Sequence, residues 1–248
     1  MALLKIGRVS FDADLVAFDK DGTLIDFEFM WGRMAVAWVE RLTSDEALRQ
    51  ALYHSLGYDA EKGRTRPQSP LTSTTVGQLE TIVAATLYQH GVPWPDAQAR
   101  ARSVFRETAA NLPLTDLVCP VGDIAGLMTH LKAADVRVAI ITADRRFETE
   151  EALLILGIAH LVDLIVCGDD GVPAKPAPDA LLATCERLGV APARTIMVGD
   201  TVTDLLMARN AGAGLGVAVL TGTGDQALLG AHADVVLPSI DEIVLEES

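Results

Sequence analysis

The chain has 248 residues, half of them apolar and 22% charged, which suits a compact globule and excludes a disordered or fibrous chain. Thirty-four acidic side chains against 20 basic ones give a formal charge of -14, a field that repels polyanions and argues against nucleic acid as the main partner. A length of this order accommodates one large domain, or one medium domain carrying an insert.

The first 10 residues lack the apolar stretch of a secretory signal. Leu15 to Phe18 is a short apolar run that ends in polar residues, as a strand buried on both faces does. From 27 to 118 the pattern changes. Helical spacing appears at Met34 to Leu42, Ala47 to Leu56, Val76 to Gln89 and Ala97 to Ala110, with a polar, turn-rich loop at Gly57 to Thr75. Beyond it, strands are predicted at Val136 to Ile141, Leu164 to Cys167, Thr195 to Val198, Gly216 to Leu220 and Val235 to Leu237. Helices alternate with them at Asp123 to Ala134, Phe147 to Leu156, Pro178 to Leu188 and Thr203 to Ala211. The expected fold class is α/β, a doubly wound parallel-sheet core of residues 1–26 and 119–248 with an inserted all-helical domain at 27–118. Cys119, Cys167 and Cys185 are too scattered for a disulfide framework or a C-x-x-C site, and the most apolar run, 153 to 168, is interrupted by His160 and Asp163. A cytoplasmic protein with no membrane span and reduced thiols is expected.

The first predicted strand runs into Asp19-Lys20-Asp21-Gly22-Thr23. Two carboxylates placed two apart at the C-terminal end of a strand project to one side, into the crevice where open α/β sheets bind ligands. Lys20 between them is expected to point the other way. A solvated turn is the competing reading of this segment alone. Three further polar groups close later strands: Thr142, Lys175 before Pro176, and Asp200 after Gly199 with Asp204 four residues on. If Asp19, Asp21, Asp200 and Asp204 are all ionised, Lys175 offsets only one of their charges, and a dianionic phosphate ester could not enter without a cation.

In this order, and each at a strand end, these segments resemble the four motifs of the haloacid-dehalogenase-like superfamily over about 11 to 26 and 119 to 248, and are most similar to its phosphoglycolate-phosphatase-like branch. The resemblance implies a magnesium-dependent phosphatase with a helical C1-type cap at 27–118. It implies Asp19 as nucleophile through an aspartyl-phosphate, and Asp21 as the acid that protonates the leaving oxygen and later deprotonates water. It further implies that Thr142, Lys175 and the backbone around Gly22 hold the phosphoryl oxygens. Mg2+ would take the Asp19 and Asp200 carboxylates and the Asp21 carbonyl, with Asp204 orienting Lys175 or a metal-bound water. Ala143 stands where relatives often have asparagine, and Asp144 follows it.

The implied substrate is a small phosphorylated metabolite, phosphoglycolate by resemblance only. In the insert, Lys62, Arg64 and Arg66 are candidates for a carboxylate or second phosphate of the substrate, against the reading of a solvated loop. Trp31, Trp38 and Phe29 read as core packing before they read as a lid. Alternatives on the same scaffold are a phosphomutase and a phosphonatase, for which Lys62 is the insert's one lysine, and a regulatory binding protein without catalysis. A monomer or homodimer is expected.

Overall fold

The structure, a computed structural model, describes residues 2–246. Its chain forms two compact units, Met1–Asp26 with Val118–Ser248, and Phe27–Leu117.

In chain order the first unit opens with β1 (Ala2–Ile6), β2 (Val9–Ala13) and β3 (Leu15–Phe18). The second contains a π-helical turn (Glu28–Gly32), α1 (Arg33–Leu42), α2 (Glu46–Leu56), β4 (Tyr58–Asp59), β5 (Arg64–Thr65), α3 (Pro70–Ser73), α4 (Val76–Gln89) and α5 (Trp94–Asn111). The chain then returns to the first unit with α6 (Ile124–Ala133), β6 (Arg137–Ile141), α7 (Arg146–Ile155), β7 (Leu164–Val166) and α8 (Asp179–Leu188). It finishes with β8 (Thr195–Gly199), α9 (Val202–Ala211), β9 (Leu215–Val219), α10 (Gln226–Gly230), β10 (Val235–Leu237) and β11 (Ile243–Leu245).

Six parallel strands make the main sheet in the order β10-β9-β8-β3-β6-β7. Alternation along each strand divides its side chains between two layers. Val16, Phe18, Val138, Ile140, Ile196 and Val198 pack on one face with Ile124, Leu127 and Leu131 of α6 and Leu153 of α7. Leu15, Ala17, Ala139, Ile141 and Met197 pack on the other with Leu181 of α8 and Met207 and Ala208 of α9. Both faces are covered, which is why these strands read as continuous apolar runs and the sheet is doubly wound.

A second sheet, antiparallel and ordered β11-β1-β2, was not among the expected elements. Ala2, Leu4 and Ile6 of β1 turn inward beneath the same core while Leu3 and Lys5 face solvent. The second unit has its own core, where Trp38 stacks on Phe105 with centroids 4.1 Å apart. It is helical except for the β4–β5 pair, which lies inside the predicted loop. Gly63 adopts φ 62 between these two strands, a conformation glycine reaches without a Cβ penalty. Among the described residues no helix is long and apolar enough to cross a membrane.

Candidate active site

Because β3 lies between β6 and β8, the C-terminal ends of β7, β6, β3, β8 and β9 are neighbours along one edge of the sheet. Phe18 is opposite both Ile140 and Val198, so the residues that follow leave the sheet side by side. The Asp19 amide still belongs to the ladder, donating to the Val198 carbonyl at 2.8 Å. Past it the chain turns sharply: the Lys20 carbonyl accepts from the amides of Leu24 (2.8 Å) and Ile25 (3.0 Å), with Gly22 at φ +82.

Lys175 draws the distant motifs together. Its Nζ donates to Asp19 Oδ1 and to Asp204 Oδ1, each at 2.6 Å, with the lysine side chain only 11% exposed. Two of the ammonium hydrogens are engaged there and the third is left for another acceptor. Burial alone would depress the Lys175 ammonium, but Asp19 and Asp204 outweigh it and hold its pKa above the usual lysine value. Asp204 is fully engaged, since its Oδ2 accepts from the Thr201 amide (3.2 Å) and hydroxyl (2.5 Å) in a capping box that starts α9. Thr142, buried at the end of β6, accepts from the Asp144 amide through Oγ1 at 3.1 Å, so its own hydrogen remains to be donated.

Asp200 Oδ2 accepts from the Thr223 amide at 3.0 Å, whereas Oδ1 is buried with no hydrogen-bond partner. Carboxylate oxygens of Asp19, Asp200 and Asp204 come within 4.8 Å of one another. Burial raises Asp19 to about 7, with the charges of Asp204 and Asp21 adding to the shift and Lys175 opposing it. It also raises Asp200 well above the carboxylate range, helped by Asp19 and Asp204. A buried, unsatisfied oxygen among mutually repelling carboxylates fits a hard divalent cation with oxygen ligands. The residues present therefore suit magnesium.

Asp19, Asp21, Thr142, Lys175, Asp200 and Asp204 thus all stand on this edge. Two expectations require correction. The Gly22 amide, expected to assist a phosphoryl oxygen, donates to the Ile25 carbonyl at 2.7 Å. What Gly22 provides is space, because a Cβ there would come within 2.4 Å of Asp200 Oδ2. Lys20, expected to point away from Asp21, has its Nζ paired with Asp21 Oδ1 and with Asp144 Oδ2 at 2.9 Å. The alternation argument fails because β3 ends at Phe18 and does not extend through residue 21.

Asp144, noted in the sequence only as the residue after Ala143, is the partner of Lys20. One group escaped the sequence reading, the loop after β9, where Thr221 Oγ1 donates to the Gly22 carbonyl at 2.7 Å and the Thr223 amide meets Asp200. A threonine and glycine run at a strand end, Thr221-Gly222-Thr223-Gly224, was the available signal. In the second unit Lys62, Arg64 and Arg66 lie around Asp59. Lys62 lies 3.5 Å from Asp59, Arg64 is exposed on β5, and Arg66 lines a cavity of about 470 Å³ with His54, Tyr58 and Asp59.

A family model for haloacid dehalogenase-like hydrolases matches residues 13–212. The chain belongs to that family. Probable phosphatase IndB of Dickeya dadantii is 31% identical to this haloacid dehalogenase-like hydrolase over 232 residues, covering 93% of this chain and 91% of that protein. A phosphoglycolate phosphatase of Neisseria meningitidis is 36% identical over 117 residues, 46% of this chain and 49% of the relative. Among solved structures, a HAD family hydrolase from Deinococcus radiodurans R1, crystallised with bound phosphate and sodium, matches with a TM-score of 0.63 at 26% identity over 93% of each chain.

Proposed function

We propose that the protein is a magnesium-dependent phosphatase that transfers the phosphoryl group of a small phosphorylated metabolite to Asp19 and then to water. The observation that carries this reading is the buried Lys175 joining Asp19 to Asp204, beside an Asp200 oxygen that lacks any donor. A lysine and three acidic side chains at one sheet edge make a site for an anion together with a cation.

In the first step the Asp19 carboxylate forms a bond to phosphorus while the ester P–O bond breaks, and Asp21 gives its proton to the departing oxygen. In the second, water adds to phosphorus of the aspartyl-phosphate, Asp21 takes the proton, and the Asp19 carboxylate leaves with its electron pair. The free hydrogen of Lys175 and the hydroxyl of Thr142 steady the phosphoryl oxygens throughout. Asp204 keeps Lys175 in register. The cation would be held by the Asp19 and Asp200 carboxylates and the Asp21 carbonyl. When bound, it neutralises carboxylate charge and polarises a phosphoryl oxygen.

Residues 1–26 and 119–248 form the catalytic core in this reading, and 27–118 the cap that governs substrate choice. The match to a phosphoglycolate phosphatase covers less than half of either chain, so it supports the chemistry more than that substrate. A phosphonatase is disfavoured, because a Schiff-base lysine needs a desolvated amine and Lys62 is 62% exposed beside Asp59.

Phosphate release from 4-nitrophenyl phosphate should require Mg2+, cease on chelation, return when the ion is restored, and fall to background in Asp19→Asn. Equal rates in wild type and Asp19→Asn would end the proposal. Product analysis with a hexose phosphate separates hydrolysis from transfer to a second hydroxyl.

A further inference from the structure

Both proton transfers require that the Asp21 carboxyl be aimed, first at the leaving oxygen and then at water. Asp21 stands on the turn beyond Phe18, where the β3 ladder has already ended, so strand geometry does not set its side chain. Its neighbour Lys20 is 1% exposed, an expensive position for an ammonium unless carboxylates surround it. Two do. Lys20 Nζ pairs with Asp21 Oδ1 and, at 2.9 Å, with Asp144 Oδ2, so one ammonium bridges the two carboxylates.

Asp144 is itself anchored from both directions. Its amide donates to Thr142 Oγ1 at 3.1 Å, and its carbonyl accepts from the Gly168 amide at 2.8 Å. A Cβ on Gly168 would lie 2.2 Å from the Ala143 carbonyl, so the loops after β6 and β7 are in close contact at this point. The clamp therefore ties a side chain on the β3 turn to the fixed ends of neighbouring strands.

We propose that Lys20 and Asp144 are positioning residues: together they hold the Asp21 carboxyl at the angle from which it exchanges a proton with the leaving oxygen and with water. This rests on the phosphatase reading above. Neither residue touches substrate in it, and both act through Asp21.

The test uses two leaving groups, 4-nitrophenyl phosphate and glycerol 2-phosphate, with Mg2+-saturated enzyme in rapid-mixing experiments. Nitrophenolate departs without a proton, whereas an alkoxide does not. Asp144→Ala should give a fast burst of about one nitrophenolate per enzyme molecule, then a steady rate about 10- to 100-fold below wild type. With glycerol 2-phosphate it should show no burst and a similar fall in kcat, with KM within about twofold of wild type. Asp144→Asn, which keeps an acceptor for Lys20, should recover most of the rate. Lys20→Met should repeat the Asp144→Ala pattern and serves if that variant folds poorly. The inference is overturned if Asp144→Ala behaves as wild type, if its nitrophenolate burst slows as much as its steady rate, or if Asp144→Asn is no better than alanine. A wild type that releases no phosphate, or an Asp19→Asn variant as active as wild type, overturns the phosphatase reading itself and is distinguishable from all three.

Discussion

At the scale of single residues, the four acidic side chains of the site differ in what already occupies their oxygens. Both oxygens of Asp204 have protein donors, Lys175 on one and Thr201 on the other, while Asp200 keeps Oδ1 buried and bare. Asp204→Asn should therefore leave Mg2+ affinity within a few-fold of wild type and lower kcat by about 10- to 100-fold, because it releases Lys175 and not the cation. Calorimetric titration of Mg2+ alongside steady-state kinetics checks this, and a large loss of metal affinity would refute the division of roles. Gly222 provides the opposite case. A Cβ there would sit 1.9 Å from Asp200 Oδ2, so alanine forces the carboxylate away from the Thr223 amide and from its place in the cluster. Gly222→Ala is expected to weaken Mg2+ binding more than tenfold in the same titration, at least the 1.4 kcal/mol that a tenfold change represents. Unchanged affinity would mean that Asp200 is not a ligand.

Elements are held in register by ion pairs away from the site, and one of these centres on Asp163. Ahead of β7 it accepts from Lys132 of α6 (2.6 Å), from Arg137 of β6 (3.2 Å) and from the Val138 amide (2.8 Å). Burial pushes its carboxyl up, but these donors outweigh burial and hold it below the usual 3.8. The native state therefore binds fewer protons than the unfolded chain just below that value, and stability rises with pH through the window. Asp163→Asn should lose about 1–3 kcal/mol at pH 7, and the gap to wild type should narrow as pH falls below about 4. Denaturant melts across that range test it, and a gap independent of pH would show that the charge is not what matters. The elements so joined were legible in the sequence because β3, β6 and β8 are buried on both faces and read as unbroken apolar runs. β1 was not, since its alternation spans only five residues and its partner β11 lies at the far end of the chain. Asp19, Thr142 and Asp200 were legible because each follows such a run, whereas Lys175 stands nine residues beyond the shorter β7. The pairing of Lys20 with Asp144 was hidden because it depends on where a strand stops, and period-2 reasoning assumes that it continues.

For the molecule as a whole, the two units differ in what a cation can do to them. All the proposed ligands belong to Met1–Asp26 and Val118–Ser248, while Phe27–Leu117 has a separate core built around Trp38, Phe105 and Leu87. A ligand that binds only the folded form stabilises it by mass action, by about 2.7 kcal/mol at a hundred times Kd. Units with separate cores open in separate cooperative steps, so that stabilisation should stay with the unit that holds the ligands. Asp19 and Asp200 repel each other in a buried setting, and relief of that repulsion adds to the effect at neutral pH. Saturating Mg2+ without substrate should slow amide exchange in β3, β8, β9 and the turn that contains Gly22, and leave α1, α4 and α5 as they were. Hydrogen exchange followed by mass spectrometry, with and without the ion, reads both units in one experiment. Equal protection of the two would mean that they open as one body, and protection confined to α1, α4 and α5 would put the cation somewhere other than the sheet edge.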